Sequence, residues 1–168
     1  MKAEIPVDLT GQTVSILGGG ASLDGYNGDF QGYKIGCNGR AKEFNTEMIV
    51  AIDGTWQREN AYFLWKYEGI KITHNPTSDK SFIQIELNPN HAERDLDWHI
   101  LACNLSGFTA IAVAFYLKAE KIFLYGFDGT GDASTHNHYF EFFKGENIIN
   151  VGLESAIPYF LKIGYGDN

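Results

Sequence analysis

Four apolar runs in this chain each end on residues able to do chemistry. Thr13 to Leu17 gives out onto Gly18-Gly19-Gly20-Ala21-Ser22, and Tyr33 to Cys37 ends at Asn38-Gly39. Glu47 to Ile52 stops at Asp53-Gly54, and Lys121 to Tyr125 stops at Gly126-Phe127-Asp128-Gly129. The three glycines lack a Cβ, so their amides are free to take positive φ and to approach a ligand closely. A helix beginning near Ser22 would add partial positive charge, making the turn a seat for phosphate or another anion. The plain alternative is a strand-to-helix turn with no ligand. Gly18 and Gly20 fit the start of G-x-G-x-x-G, but Leu23 stands where the third glycine belongs, so no dinucleotide site is assigned.

The other candidates each carry two readings. Asn38 offers donors and acceptors suited to a base or ribose edge, and is equally at home in a turn. Asp53 and Asp128 are hard oxygen donors for a ribose hydroxyl or a divalent metal, or caps of the helices that follow. Ser106-Gly107 opens a helix, where Ser106 is either a cap or a phosphate donor. Among five histidines, His136-Asn137-His138 is the one close pair, and it lacks the spacing of a metal signature. His138 or His136 would serve as a general base near neutral pH; a surface histidine without a task is the alternative. There is no Gly-x-Ser-x-Gly elbow, and Cys37 and Cys103 have no local catalytic signature.

Positioning these residues calls for strands at Thr13–Leu17, Tyr33–Cys37, Glu47–Ile52, Ile70–Thr73, Phe82–Leu87, Lys121–Tyr125 and Ile148–Val151. The alternation in Phe82–Leu87 places that strand near a sheet edge. A helix is expected over Thr55–Tyr67, ended by Gly69, and a buried helix over Ser106–Leu117, which is apolar nearly all round. Asn88–Asn104 reads as a long loop with some helix, Thr130–Asn137 as a polar loop, and Ser155–Leu161 as a short closing helix. Buried strands alternating with helices imply an α/β fold with a mostly parallel sheet and helices on both faces. In such a sheet all four chemical turns share one edge, and ligands bind in the crevice there.

Composition sets the outer limits. With 168 residues, 44% apolar residues, twelve Phe and nine Tyr, one globular domain spanning 1–168 is expected. No run approaches the roughly 20 apolar residues of a membrane span, and Met1 to Pro6 lacks a signal-peptide core. Two cysteines in apolar surroundings fit a reduced, cytoplasmic setting. A net charge of −8 without a basic cluster argues against nucleic acid as the main partner, while a small anionic ligand remains compatible. Trp56, Tyr62, Phe63 and Trp65 suit core packing, or in part a contact in a homo-oligomer.

The order of the motifs carries a resemblance. Ile16 to Leu23, Gly36-Cys37-Asn38, Ala51-Ile52-Asp53, Ser106-Gly107 with its apolar helix, Leu124 to Asp128, His138-Tyr139 and Ser155 to Phe160 follow one another over about residues 13 to 161. This series resembles the bacterial CMP-sialic-acid-dependent sialyltransferases, the archaeal 6-hydroxymethylpterin diphosphokinase type, and short phage-encoded relatives. The resemblance implies a Rossmann-like sheet with a nucleotide in its crevice, and the Asn and Ser-Gly of the sialyltransferases are matched by Asn38 and Ser106-Gly107. Gly19 stands in place of an Asn that touches the nucleotide, and Asp53 in place of another Asn, closer to the diphosphokinase type. Phe142 stands in place of the catalytic His, and Cys103 in place of an Arg.

The combined expectation is a transferase using a nucleotide-sugar donor. Gly18, Gly19, Gly20, Ser22, Ser106 and Gly107 would hold phosphates, Asn38 the nucleoside and Asp53 a ribose or metal. His138, His136 and Asp128 would form the catalytic group. The alternatives are magnesium-dependent diphosphate transfer, and a non-catalytic nucleotide or small-molecule binder of the phage accessory kind.

Overall fold

The computed structural model describes residues 4–73, 79–85, 87–88, 100–101 and 105–167. In chain order the elements are β1 (Thr13–Leu17), β2 (Tyr33–Cys37), α1 (Gly39–Phe44), β3 (Met48–Val50), α2 (Gly54–Glu59), α3 (Ala61–Lys66), β4 (Ile70–Thr73) and β5 (Phe82–Gln84). They continue with β6 (Leu87–Asn88), β7 (Ile100–Leu101), α4 (Ser106–Tyr116), β8 (Lys121–Tyr125), β9 (Ile148–Val151) and β10 (Leu161–Ile163). Two 3-10 segments, Ala21–Leu23 and Gly131–Phe143, lie after β1 and β8.

Eight strands form one sheet in the order β10-β9-β8-β1-β2-β3-β4-β5, and every neighbouring pair is parallel. Side chains alternate across a strand, so each strand supplies both layers. On one face Val14, Ile16, Ile35, Cys37, Met48 and Val50 pack with the buried residues of α4. On the other, Ile49 and Ala51 pack with Ala41 of α1 and Leu64 of α3, while Leu17 and Tyr125 meet Tyr26, Phe30 and Phe44. The fold is therefore α/β, a Rossmann-like sheet with helices on both faces. The central strands are mostly apolar because both of their faces are covered.

From β1 the chain builds outward through β2, β3, β4 and β5, then returns to the other side of β1 with β8 and continues to β9 and β10. The direction of winding reverses at β1, and the carboxyl ends of β1 and β8 flank that switch point. Their register is direct, with Leu17 opposite Tyr125, so the turns after them emerge side by side.

Several elements differ from expectation. No helix starts at Ser22; the chain makes only the turn Ala21–Leu23. The helix expected over Thr55–Tyr67 is broken at Asn60, whose backbone N–H and side-chain amide both donate to Trp56 O, at 3.0 and 2.9 Å. An Asn side chain that competes for the carbonyl ladder favours such a break. On α3, Tyr62 and Trp65 are exposed, whereas Trp56 and Phe63 pack against the second face. The expected strand Phe82–Leu87 is divided: β5 ends at Gln84 on the sheet edge, and Leu87–Asn88 pairs in parallel with Ile100–Leu101 as a separate ribbon. Most of Asn88–Asn104, including Cys103, lies outside the described residues.

Thr130–Asn137 is not an open loop but is largely taken into the 3-10 segment. Ser155–Leu161 does not form a helix. Its amides bond elsewhere: Ala156 N–H to Asp128 O at 2.7 Å and Ile157 N–H to Ser155 Oγ at 3.2 Å. Pro158 has no N–H to give a helical ladder, and the chain runs on irregularly into the edge strand β10. No helix among the described residues is long and apolar enough to cross a membrane.

Candidate functional site

A cavity of about 1060 Å³ opens along the carboxyl ends of β1, β2, β3 and β8, at the switch point. Gly18, Gly19, Gly20, Asn38, Asp53, Ser106, Gly107, Asp128 and His136 all line it. The structure thus brings onto one rim residues scattered over more than a hundred positions. Ser22 and His138 are not on the lining. Ser22 stands behind the turn against Asp128, and His138 is exposed with its ring 4.1 Å from that of Tyr139.

The glycine turn is half closed. Gly18 N–H donates to Tyr125 O at 2.7 Å and Gly20 N–H to Gly126 O at 2.8 Å, which staples the turn to the end of β8. Ser22 donates its backbone N–H to Asp128 Oδ2 at 2.9 Å and its hydroxyl to Asp128 Oδ1. None of the three glycines takes a positive φ. Glycine is needed at two of them for closeness instead: a Cβ on Gly18 would lie 2.8 Å from Gly126 O, and one on Gly20 2.5 Å from the same oxygen. At Gly19 a Cβ would meet nothing within 4 Å, so the turn faces the cavity there.

Arg40, at the start of α1, holds the same turn from the other side. Its Nε donates to Gly18 O at 3.2 Å and its Nη2 to Gly20 O at 3.0 Å, while the guanidinium also pairs with Asp24 and Glu43. Burial opposes its charge, but the hydrogen bonds it donates to the Asp24 and Glu43 carboxylates outweigh that and raise its pKa. Its side chain is only 12% exposed. Only Glu43 is a local partner of Arg40; Gly18, Gly20 and Asp24 lie 16 to 22 residues upstream, so no short motif marks this arginine.

The opposite wall is built differently. Asn38 sits at φ 50°, ψ −122°, a combination sparsely populated by residues with a side chain. Its Oδ1 accepts a long 3.4 Å hydrogen bond from Ser106 Oγ. Leu105 occupies the N-cap of α4 and has no side-chain oxygen to offer, so the first N–H groups of this eleven-residue helix have no side-chain cap. Asp53 accepts from Thr55 N–H at 2.8 Å and Trp56 N–H at 3.1 Å through Oδ1, and caps α2 as its simpler reading anticipated. Burial pushes the Cys37 thiol, also on the lining, up to about 12, so it is protonated at neutral pH.

Comparison with models of known protein families and with curated protein sequences yields no match. What the site can do is therefore read from its own geometry.

At the far end His136 lines the cavity, its Nδ1 sharing a 2.9 Å hydrogen bond with Thr135 Oγ1. That contact orients the ring through Nδ1 and leaves Nε2 as the other ring nitrogen able to exchange a proton. Of the two histidines proposed as bases, His136 is the one placed at the cavity. Asn137, Phe127, Phe140 and Ile157 complete this end and were not anticipated. Asn137 donates to Gly129 O at 2.8 Å, and its buried Oδ1 has no partner. Phe142 packs into the core beside Phe108, with ring centroids 6.1 Å apart. Among the described residues no group of three or more His, Cys, Asp or Glu could hold a metal ion.

Proposed function

We propose that the cavity binds a nucleotide through its phosphates and that the protein is a nucleotide-dependent transferase, with a nucleotide-sugar as the favoured donor. One observation carries the reading. The uncapped N-terminus of α4 opens, at Ser106 and Gly107, into a cavity at the sheet's switch point. Orphan helix amides there complement negative charge, both that of a bound phosphate and that developing on a departing one. Asn38 stands beside Ser106 and would meet the nucleoside, with the second carboxylate oxygen of Asp53 available to a ribose hydroxyl. His136 would take the proton of an acceptor hydroxyl through Nε2, and the gain in rate would come from proximity and from support of the leaving phosphate. The magnesium-dependent alternative has less to draw on, because Ser22 engages both oxygens of Asp128 and α2 occupies Asp53 Oδ1.

Calorimetric titration with CMP, UDP, GDP and their sugar conjugates, with and without magnesium, tests the reading. At least one of these should bind without magnesium, and none binding would remove it. His136→Ala should keep that affinity and lower turnover by about a hundredfold or more. Turnover unchanged in this variant would assign the base to another residue, and nucleotide binding without any turnover in the unaltered protein would leave a non-catalytic binder.

A further inference from the structure

The two potential anion seats on this cavity are not equivalent. The seat at the glycine turn is already filled by a carboxylate of the chain itself. Asp128 receives both donors of Ser22, and its carboxyl carbon lies 2.6 Å from where a Cβ on Gly20 would stand. The space a Gly20 side chain would take is thus filled by the Asp128 carboxyl together with Gly126 O. The segment carrying Asp128 is tied down from behind. Phe127 O accepts from Ser155 Oγ at 2.6 Å and Asn150 Nδ2 at 3.1 Å, and Asp128 O accepts from Ala156 N–H at 2.7 Å. A carboxylate on so well anchored a loop stays where it is.

We infer that Asp128 is a specificity-determining residue: its carboxylate stands in for an anion at the glycine turn and keeps phosphate groups away from it. The inference takes its ligand class from the nucleotide reading above, but its chemistry does not depend on which nucleotide binds. A fixed negative charge within a few ångströms of a second anion repels it, and the donors of Gly18, Gly20 and Ser22 that would offset the repulsion are spent. The other charged groups facing this turn do not cancel Asp128. Arg40 is the cation nearest the turn in the hydrogen-bond network, and it is committed to Asp24, Glu43 and the carbonyls of Gly18 and Gly20. A ligand must therefore enter with its phosphates turned from Asp128, which leaves the Asp128 side of the cavity to uncharged, hydroxyl-bearing groups.

The test uses inorganic pyrophosphate as probe, titrated calorimetrically into the full chain and its variants at low ionic strength. Asp128→Asn and Asp128→Ser each remove the charge, and either should bind pyrophosphate about tenfold more tightly than the unaltered protein, a gain that shrinks with added salt. Ser22→Ala loosens the carboxylate but keeps its charge, and should show no such gain. Unchanged or weaker binding in both Asp128 variants, or an equal gain in Ser22→Ala, would overturn the inference. If no nucleotide binds the unaltered protein while the Asp128 variants gain pyrophosphate affinity, the nucleotide reading falls and this inference stands. Nucleotide binding without that gain has the opposite meaning.

Discussion

The two walls of the cavity are built on opposite principles. The β1/β8 wall is largely closed on itself: the amides of Gly18 and Gly20 are bonded across the strand ends, their carbonyls are held by Arg40, and its anion seat is filled by Asp128. The wall made by Asn38 and α4 leaves its helix without a side-chain cap, holds Asn38 in an uncommon conformation, and is joined by one long hydrogen bond. Satisfied backbone contributes stability and offers little to a ligand. Unsatisfied and strained backbone costs stability and is where ligands gain most. The glycine-rich turn, the most conspicuous stretch of the sequence, is by this comparison a structural clasp, while in the proposed reading the quieter Asn38 and Ser106 meet the ligand.

Substitutions sharpen the contrast, the largest expected effect coming from the closed wall. Gly20→Ala drives a methyl into Gly126 O and the Asp128 carboxyl and should cost about 2–3 kcal/mol in chemical denaturation. A neutral result would mean that the clasp is loose. Asp53→Ala removes the cap of α2 and should cost about 1 kcal/mol by the same measurement. On the open wall the sign reverses. Asn38→Gly relieves the backbone and, after the entropy cost of glycine, should raise stability by about 1 kcal/mol while weakening ligand binding. Lower stability in Asn38→Gly would show that the wall is not strained. Gly19→Ala is the smallest change, within about 0.5 kcal/mol of the parent, because its methyl meets open space. Gly19 and Gly20, adjacent in sequence, should thus differ by several-fold in their tolerance of one methyl group.

Much of the frame was legible before any coordinates. The bounds expected for β1, β2, β4, β8 and β9 agree with the structure, since each is an apolar run fenced by glycine, asparagine, aspartate or charged residues. The shared rim followed from the parallel sheet, and nine of the residues named for the site line one cavity. What the sequence could not express was partnership at a distance. Ser22 and Asp128 meet across 106 positions, so the turn expected to offer its donors to phosphate gives part of them to an aspartate instead. Arg40 reaches Gly18 across 22 positions. The break at Asn60 and the irregular path through Pro158 depend on single local contacts that override helical periodicity. His136 and His138 are two residues apart, and only the turn of the 3-10 segment decides which of them lines the cavity.

On the proposed reading, a nucleotide meets the open wall and not the clasp. Amide chemical-shift mapping by nuclear magnetic resonance, during titration of whichever nucleotide binds, tests it most directly. The largest shifts should fall on Asn38, Ser106, Gly107 and Gly19, with Gly18, Gly20 and Ser22 nearly still. Shifts concentrated on Gly18, Gly20 and Ser22, with Ser106 and Gly107 unmoved, would contradict it.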